Sequence, residues 1–454
     1  MGYTQTQTRR NFMKSALMAT SALALPQVCS ARKKPNIVLI VADDMGYGDI
    51  GCYGNKINRT PNLDRMAQEG LRFTDFHSNG PVCSPTRAAL LTGRYQQRMG
   101  IEGPIARNGR GLGIVNEITI ASRLQESGYK TGIFGKWHLG TQPSDNPIQH
   151  GFSEFRGHLH SAQDYHSHVN RWGLVDWWHN DKLAPEEGYN THLITNHAVD
   201  FIKQHQNEPF FLYVPHSAIH FPWMTSEDSA YRKENGNYDN LTKLGPHKDV
   251  TKVVKHMIEE VDKSVGKILA ALKKYDLDED TFVFFTSDNG GYRHYAGHHQ
   301  GEVSDNGVLR GQKVDLFEGG HRVPTIARWP GRIKPGTVTH ETAMTMDMMP
   351  TYLELVGADQ PNPNSAHAID GTTIGPVLFH NKSIPQRTLF FRKDGDRAVR
   401  QGSWKMVWIK NGSPELFNLD QDISEQKDIA AQHPELMKKL ITALTKWEKD
   451  VDNK

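Results

Sequence analysis

Asn36-Ile37-Val38-Leu39-Ile40-Val41-Ala42 is a continuous apolar run, unbroken by charge, glycine or proline. A strand with one wet face alternates apolar and polar positions, whereas a run of this kind fits a strand covered on both faces, at the centre of a parallel sheet. Runs at 131–134, 210–214 and 282–286 predict further strands, and 71–76 reads as another. Helices are expected between them. Thr60-Pro61 offers an N-cap and a first-turn proline and Gly70 a stop, and a long helix is expected over 250–274. Strands alternating with helices argue for an α/β fold, a large mixed, mostly parallel sheet sandwiched by helices. Beyond about Gly371 the pattern shifts to short runs at 388–391, 398–401 and 405–409, read as antiparallel strands, and then to an amphipathic helix over 434–447. The expected organisation is a signal and join over 1–31, a main domain over 32–371 and a small C-terminal subdomain over 372–454.

Polar residues gather at the strand ends. Asp43-Asp44 follows the first run directly, at the carboxyl edge where α/β sheets place their sites. Adjacent carboxylates repel each other, and a divalent cation is the natural reason to put them together. Thr286-Ser287-Asp288-Asn289-Gly290-Gly291 closes the 282–286 run in the same way.

Composition narrows the class. The formal net charge is +2 over 454 residues with no long basic run, which gives no electrostatic case for nucleic acid. Mean hydropathy is -0.60 with 37% hydrophobic residues, polar for a globular chain. The 23 His and 9 Trp suit sugar recognition, since indoles stack on pyranose faces and imidazoles donate to hydroxyl or sulfate oxygens, although core packing accounts for most indoles in any protein. Thr8-Arg9-Arg10-Asn11-Phe12-Met13-Lys14 looks like a twin-arginine export motif, followed by an apolar stretch over 15–25 too short to span a bilayer and by Ala22-Leu23-Ala24 as a cleavage site. The implied partner is the twin-arginine machinery and the implied location periplasmic or extracellular. Val28 before Cys29 is a poor match to a lipid-anchor signal, so anchoring ranks second.

Cys83-Ser84-Pro85-Thr86-Arg87, continued by Ala88-Ala89-Leu90-Leu91-Thr92-Gly93-Arg94, closely resembles the signature of the type I, formylglycine-dependent sulfatases of the alkaline-phosphatase-like superfamily, in particular exported bacterial carbohydrate sulfatases. In that family a maturation enzyme oxidises the cysteine to Cα-formylglycine. The chemistry explains the choice: an aldehyde hydrates to a geminal diol, one hydroxyl of which attacks sulfur while the other later expels sulfate from a covalent sulfated enzyme. A helix opening at this turn directs backbone N–H groups at an anion. Cys29 and Cys52 remain as the one possible disulfide pair, and no bridge is expected between them.

The resemblance extends over nearly all of the mature chain and carries further residues with it. It implies one Ca²⁺ held by Asp43, Asp44, Asp288, Asn289 and the oxidised Cys83, an all-oxygen shell that favours calcium over softer metals. Lys136 in Gly135-Lys136-Trp137-His138-Leu139-Gly140 matches the sulfate-binding lysine and His138 the base for sulfate release; at i and i+2 they would share one side of an extended segment. His220, before Phe221-Pro222, and Lys313 match the groups at the bridging ester oxygen, with His216 a rival that lacks the proline two residues on. Arg87 would hold the aldehyde hydrate, and Glu318-Gly319-Gly320-His321-Arg322-Val323-Pro324 matches a supporting segment. For the substrate, one candidate wall is Asp164-Tyr165-His166-Ser167-His168 with Arg171 and Trp172, and another is Arg293-His294 with His298-His299. No cysteine or acid completes a zinc site around those last histidines.

The expected activity is hydrolysis of a sulfate monoester, an O-sulfate on a carbohydrate, with a sulfated glycan or small molecule as the partner. The rivals are a phosphate or phosphonate monoester hydrolase of the same fold and an inactive sulfated-glycan-binding protein.

Overall fold

The run at 36–42 forms β1 (Asn36–Ala42), and all seven of its residues are buried. The computed structural model describes residues 34–106, 116–238, 244–295 and 303–453, and Lys34–Lys454 forms one compact unit. The twin-arginine motif, the cleavage site, Cys29, His298 and His299 lie outside the described residues.

The other strands of the main part are β2 (Leu71–Phe73), β3 (Phe76–His77), β4 (Lys130–Lys136), β5 (Glu154–His158), β6 (Trp178–His179), β7 (Lys182–Leu183), β8 (Phe210–Pro215), β9 (Thr281–Ser287), β10 (Thr325–Arg328), β11 (Thr337–Thr339) and β12 (Ala343–Met344). Ten of these twelve make one sheet in the order β11-β2-β10-β9-β1-β8-β4-β5-β6-β7, with β3 and β12 paired separately. The centre is parallel: β8 and β9 flank β1, and β4 lies between β8 and β5. Antiparallel pairs occur towards the margins, at β10 and at β6 and β7.

Helices cover both faces. In chain order they are α1 (Pro61–Gln68), α2 (Cys83–Thr92), α3 (Ile120–Glu126), α4 (Asn190–Gln204), α5 (Val250–Lys274), the single turn α6 (Glu318–His321), α7 (Met348–Val356) and α8 (Gly375–His380). Side chains alternate along β1, so Val38, Ile40 and Ala42 pack with α1, α4 and α5, while Ile37, Leu39 and Val41 pack with α2, α3, α7 and α8. Each of the fully buried Val, Leu and Ile side chains contributes about 2 kcal/mol of transfer free energy.

The C-terminal part is a four-stranded antiparallel sheet, β13 (Thr388–Lys393), β14 (Asp396–Gln401), β15 (Trp404–Trp408) and β16 (Glu415–Asn418), with α9 (Pro434–Asp452) against it. Its apolar core includes Ala89, Tyr95, Leu316, Met344 and Met346 from the main part. All ten residues of α2 are therefore buried, between the main core and this second one.

Three local expectations change. The predicted 71–76 strand breaks into β2 and β3 because Thr74 N donates to Thr339 O and the Asp75 carboxylate turns to Arg400, 2.7 Å away. The Thr60 hydroxyl does not cap α1; it accepts from Gly51 N, and the Asp262 carboxylate of α5 takes the N–H groups of Asn62 and Leu63 instead. Neither α4 nor β16 was anticipated, α4 because it carries His, Asn and Thr over two faces and β16 because it is four residues long.

Candidate active site

Parallel pairing sets Ala42 beside Ser287, so Asp43 and Asp288 leave the sheet side by side. Asp43 N donates to Ala218 O (2.8 Å) and Asp288 N to Ala42 O (3.1 Å), which fixes both backbones as they leave the edge. Asp44 then takes a left-handed turn (φ 66°). Gly46 lies close beneath it: a Cβ there would stand 2.2 Å from Asp305 O. β4 ends at the same edge with Lys136, and α2 aims its first residue, Cys83, into the group.

Charges at this edge pair one to one. Lys136 Nζ is 2.5 Å from Asp43 Oδ2, Arg87 Nη2 is 2.7 Å from Asp288 Oδ2 and Lys313 Nζ is 2.5 Å from Asp44 Oδ1. Arg87 also donates to Lys136 O (2.8 Å), which ties α2 to the end of β4. The Lys313 ammonium reaches Cys83 Sγ at 3.6 Å. Burial pushes the Cys83 thiol up to about 12 despite Lys136 and Lys313, so it is no thiolate at neutral pH.

The donor set fits a hard divalent cation. Asp43, Asp44 and Cys83 each offer a ligand atom within 4.8 Å of one another. Asp43 Oδ1 and Asn289 Oδ1 are buried acceptors without a hydrogen-bond partner, a costly state that a cation would relieve. Burial and the neighbouring Asp288 push the Asp43 carboxyl up to about 7. Burial also opposes ionisation of Asp44, but Lys313 and His220 outweigh it and hold that carboxyl low.

Two histidines complete the edge. Neither ring nitrogen of His138 has a partner; burial, then Lys136 and Arg87, hold its pKa well below the ordinary value, so the imidazole is neutral. It converges with Lys136 through a left-handed residue (φ 56°), not along the extended segment that the i, i+2 spacing predicted. His220 Nδ1 donates to Phe221 O (2.8 Å), leaving Nε2 facing Asp44 Oδ2 at 3.9 Å. His216, by contrast, turns to Ser264 Oγ (3.0 Å) and shares no described contact with these carboxylates.

The first candidate wall divides. Tyr165 holds the turn that carries His220, its hydroxyl 2.7 Å from Ser217 O and 2.9 Å from His220 O. Asp164 binds the backbone N–H groups of His166, Ser167, Tyr231 and Arg232. His166 donates to Thr225 O (2.9 Å), and His168 is buried and stacked on the fully buried Trp177 at 4.5 Å. Arg171 lies over Trp172 at 5.8 Å and acts electrostatically on Tyr295. On the second wall, Gln312 Oε1 accepts from Arg293 N (2.8 Å) and His294 N (2.9 Å), which keeps that turn beside Lys313. Five of the nine Trp, at 137, 177, 223, 329 and 447, are buried.

Several contributors carried no sequence signal. The Ser84 hydroxyl, next to Cys83, donates to His138 O (2.8 Å). Tyr292 lies under the Lys313 ammonium at 5.2 Å and meets Tyr295 edge-on at 4.6 Å, joining an aromatic wall with Phe221 and Trp223. Asp49 braces the turn below Asp44, accepting from Gly46 N (2.7 Å) and Ser304 Oγ (2.5 Å).

Comparison with known families decides what this edge belongs to. The family model described as Sulfatase matches residues 35–358, and a second, N-sulphoglucosamine sulphohydrolase, C-terminal, matches 312–450. The chain belongs to the sulfatase family. It is a sulfuric ester hydrolase of alkaline-phosphatase-like fold. Dog N-acetylgalactosamine-6-sulfatase is 36% identical over 437 residues, covering 91% of this chain and 79% of that protein. Human arylsulfatase A is 35% identical over 421 residues, covering 86% and 78%. Among solved structures, Ps i-CgsB in complex with k-i-k-neocarrahexaose superimposes with a TM-score of 0.80 at 31% identity, over 91% of this chain and 93% of that one. In this sulfatase no described helix is long and apolar enough to cross a membrane.

Proposed function

We propose that this sulfatase removes an O-linked sulfate from a carbohydrate, using Cα-formylglycine made from Cys83 and one Ca²⁺ held by Asp43, Asp44, Asp288 and Asn289. The observation that carries the reading is the setting of Cys83, buried at the start of α2 and facing three carboxylate–cation pairs, with one carboxylate oxygen of Asp43 and the amide oxygen of Asn289 unclaimed. The carbohydrate assignment is supported by the relatives, one an N-acetylgalactosamine-6-sulfatase and one solved with a neocarrahexaose.

When present, the formylglycine hydrate supplies the oxygen that attacks sulfur and the means of releasing sulfate, and calcium supplies the positive charge that the unclaimed oxygens lack. The protein's own groups do the rest. Three carboxylates balanced by Arg87, Lys136 and Lys313 leave a site that becomes net cationic once a divalent ion joins, which suits a sulfate monoanion. Arg87, with its fork bound to Asp288 and Lys136 O, fixes the geometry beside residue 83. Lys313 is kept as an ammonium because Asp44 outweighs the cost of its burial, so it has a proton to offer the departing alcohol. His220, its Nδ1 committed to Phe221 O, presents the free Nε2 beside Asp44 on the side where the bridging ester oxygen would lie. His138, neutral and with both nitrogens unengaged, is the base that takes a proton at residue 83 when sulfate leaves.

Cys83 is 2% exposed, so a maturation enzyme must reach it before the domain closes. Export through the twin-arginine machinery, to the periplasm or beyond, completes the proposal. The test is turnover by matured enzyme on a panel of sulfated mono- and oligosaccharides with free sulfate quantified, beside paired aryl sulfate and aryl phosphate. Sulfate release from at least one sugar, and faster cleavage of the aryl sulfate than of the phosphate, are expected. Preference for the phosphate would favour the monoester phosphohydrolase reading, and binding without release would favour an inactive glycan binder.

A further inference from the structure

Lys313 sits on a loop that the C-terminal subdomain holds from behind. Arg310 begins the loop and α6 ends it; Gly319 N donates to Arg310 O (2.7 Å), which closes the loop on itself. The closed loop touches the metal-ligand turn twice, through Gly290 N to Gly320 O (2.9 Å) and Lys313 N to Gly291 O (3.1 Å). There is no slack in this contact, since a Cβ on Gly290 would fall 1.9 Å from Gly319 O. Val314, next to the ammonium-bearing residue, has φ 80°, a left-handed conformation that a β-branched residue adopts only when its surroundings impose it.

The end of the loop is held by one acid 107 residues beyond Glu318. Glu425, fully buried, puts Oε2 2.6 Å from Glu318 N, capping the first turn of α6. Its Oε1 is 2.8 Å from Lys405 Nζ, and that ammonium is 2.9 Å from Glu318 Oε1, so both carboxylates share the β15 lysine. Arg310 donates to Glu425 O (2.6 Å) and covers the Phe317 ring at 3.7 Å. Both ends of the Lys313 loop thus meet at one residue of the C-terminal subdomain.

We infer that Glu425, with Arg310, is a positioning residue for Lys313. The inference rests on the reading of Lys313 as the group serving the departing alcohol. Loosening the loop should then reproduce, in weaker form, what loss of the Lys313 ammonium does.

The test compares Glu425→Gln, Arg310→Ala and Lys313→Ala in matured full-length enzyme, with kcat and KM measured on aryl sulfates of graded leaving-group pKa. For Glu425→Gln and Arg310→Ala, kcat should fall roughly 10-fold on the poorest leaving group and under about 2-fold on the most activated, with KM little changed and Arg310→Lys restoring most of the loss. Lys313→Ala should show the same trend more steeply. The side chain of Arg310 is partly exposed, so its variants carry the test if Glu425→Gln does not fold. A loss equal across all leaving groups, the mark of a smaller active fraction, or no loss, would overturn the positioning role. A flat Lys313→Ala response would instead overturn the role of Lys313 and the inference with it.

Discussion

His138 is the residue at which the chemistry divides most cleanly into steps. Its ring is buried, neutral and unpartnered, and Ser84 fixes its carbonyl, so a nitrogen is free to accept a proton. His138→Ala should therefore give a burst of alcohol of about one equivalent per active site, followed by slow turnover with sulfate release lagging behind, on good and poor leaving groups alike. Rapid-quench measurement of alcohol and sulfate checks this; the two products appearing together would contradict it. Much of the site at this scale was legible in the sequence, because Cys83, Asp43, Asp44, Asp288, Asn289, Lys136, His138, His220 and Lys313 lie in short motifs; the parallel pairing of β1 with β9 brings the acidic pair and Asp288-Asn289 to one edge, where β4 adds Lys136 and α2 adds Cys83. The roles of Ser84, Tyr292 and Glu425 were not, since each acts through a neighbour that only the tertiary structure supplies, and Tyr165, expected in a substrate wall, holds the His220 turn instead.

Among the elements, the long apolar strands were the easiest to read, because residues covered on both faces leave no alternative pattern. α5 runs over 250–274 as its sequence predicts. Cross-chain caps are a different matter. α1 looks self-sufficient, with Thr60 and Pro61 at its start, yet its N–H groups are satisfied by Asp262, 200 residues away. That carboxylate accepts from Asn62 N and Leu63 N at 3.0 and 2.8 Å and from the Asn62 side chain at 2.8 Å. Asp262→Ala should destabilise the protein by about 1–2 kcal/mol through the orphaned donors. Because α1 lies on the far side of β1 from α2 and touches no group at the site, kcat of the folded enzyme should be unchanged. Chemical denaturation and steady-state kinetics on the same preparation read both quantities.

For the whole molecule, the abundance of histidine has a consequence for stability. Among the described residues, nine imidazoles, those of His77, His138, His150, His158, His168, His197, His216, His220 and His321, are displaced downward, in every case first by burial. A histidine neutral in the fold takes up its proton more readily when unfolded, so its contribution is present above pH 6.5 and is lost as pH falls below it. Burial pushes Asp43, Asp49, Asp262, Asp315 and Glu425 the other way, and these oppose the trend but are fewer. Two of the histidines, His77 and His321, sit in the buried joint between the main part and the C-terminal sheet with Asp75, Glu318, Arg322, Arg400 and Lys405. There Arg400 and Arg322 overcome burial to hold Asp75 low, so the joint loses a second contribution below about pH 4. Calorimetry should show Tm falling by several degrees between pH 7 and pH 5 and further below pH 4; a Tm that is flat or rises on acidification would contradict it.

The proposed chemistry requires residue 83 to carry an aldehyde in working enzyme. Cleavage after Arg72 and Arg87 isolates that position in a peptide over 73–87 with no other cysteine. Mass spectrometry of this peptide from fully active protein, made alongside a maturation enzyme, should find the aldehyde in place of the thiol, with activity rising in proportion to the converted fraction. Full activity with the thiol of Cys83 intact would contradict the mechanism.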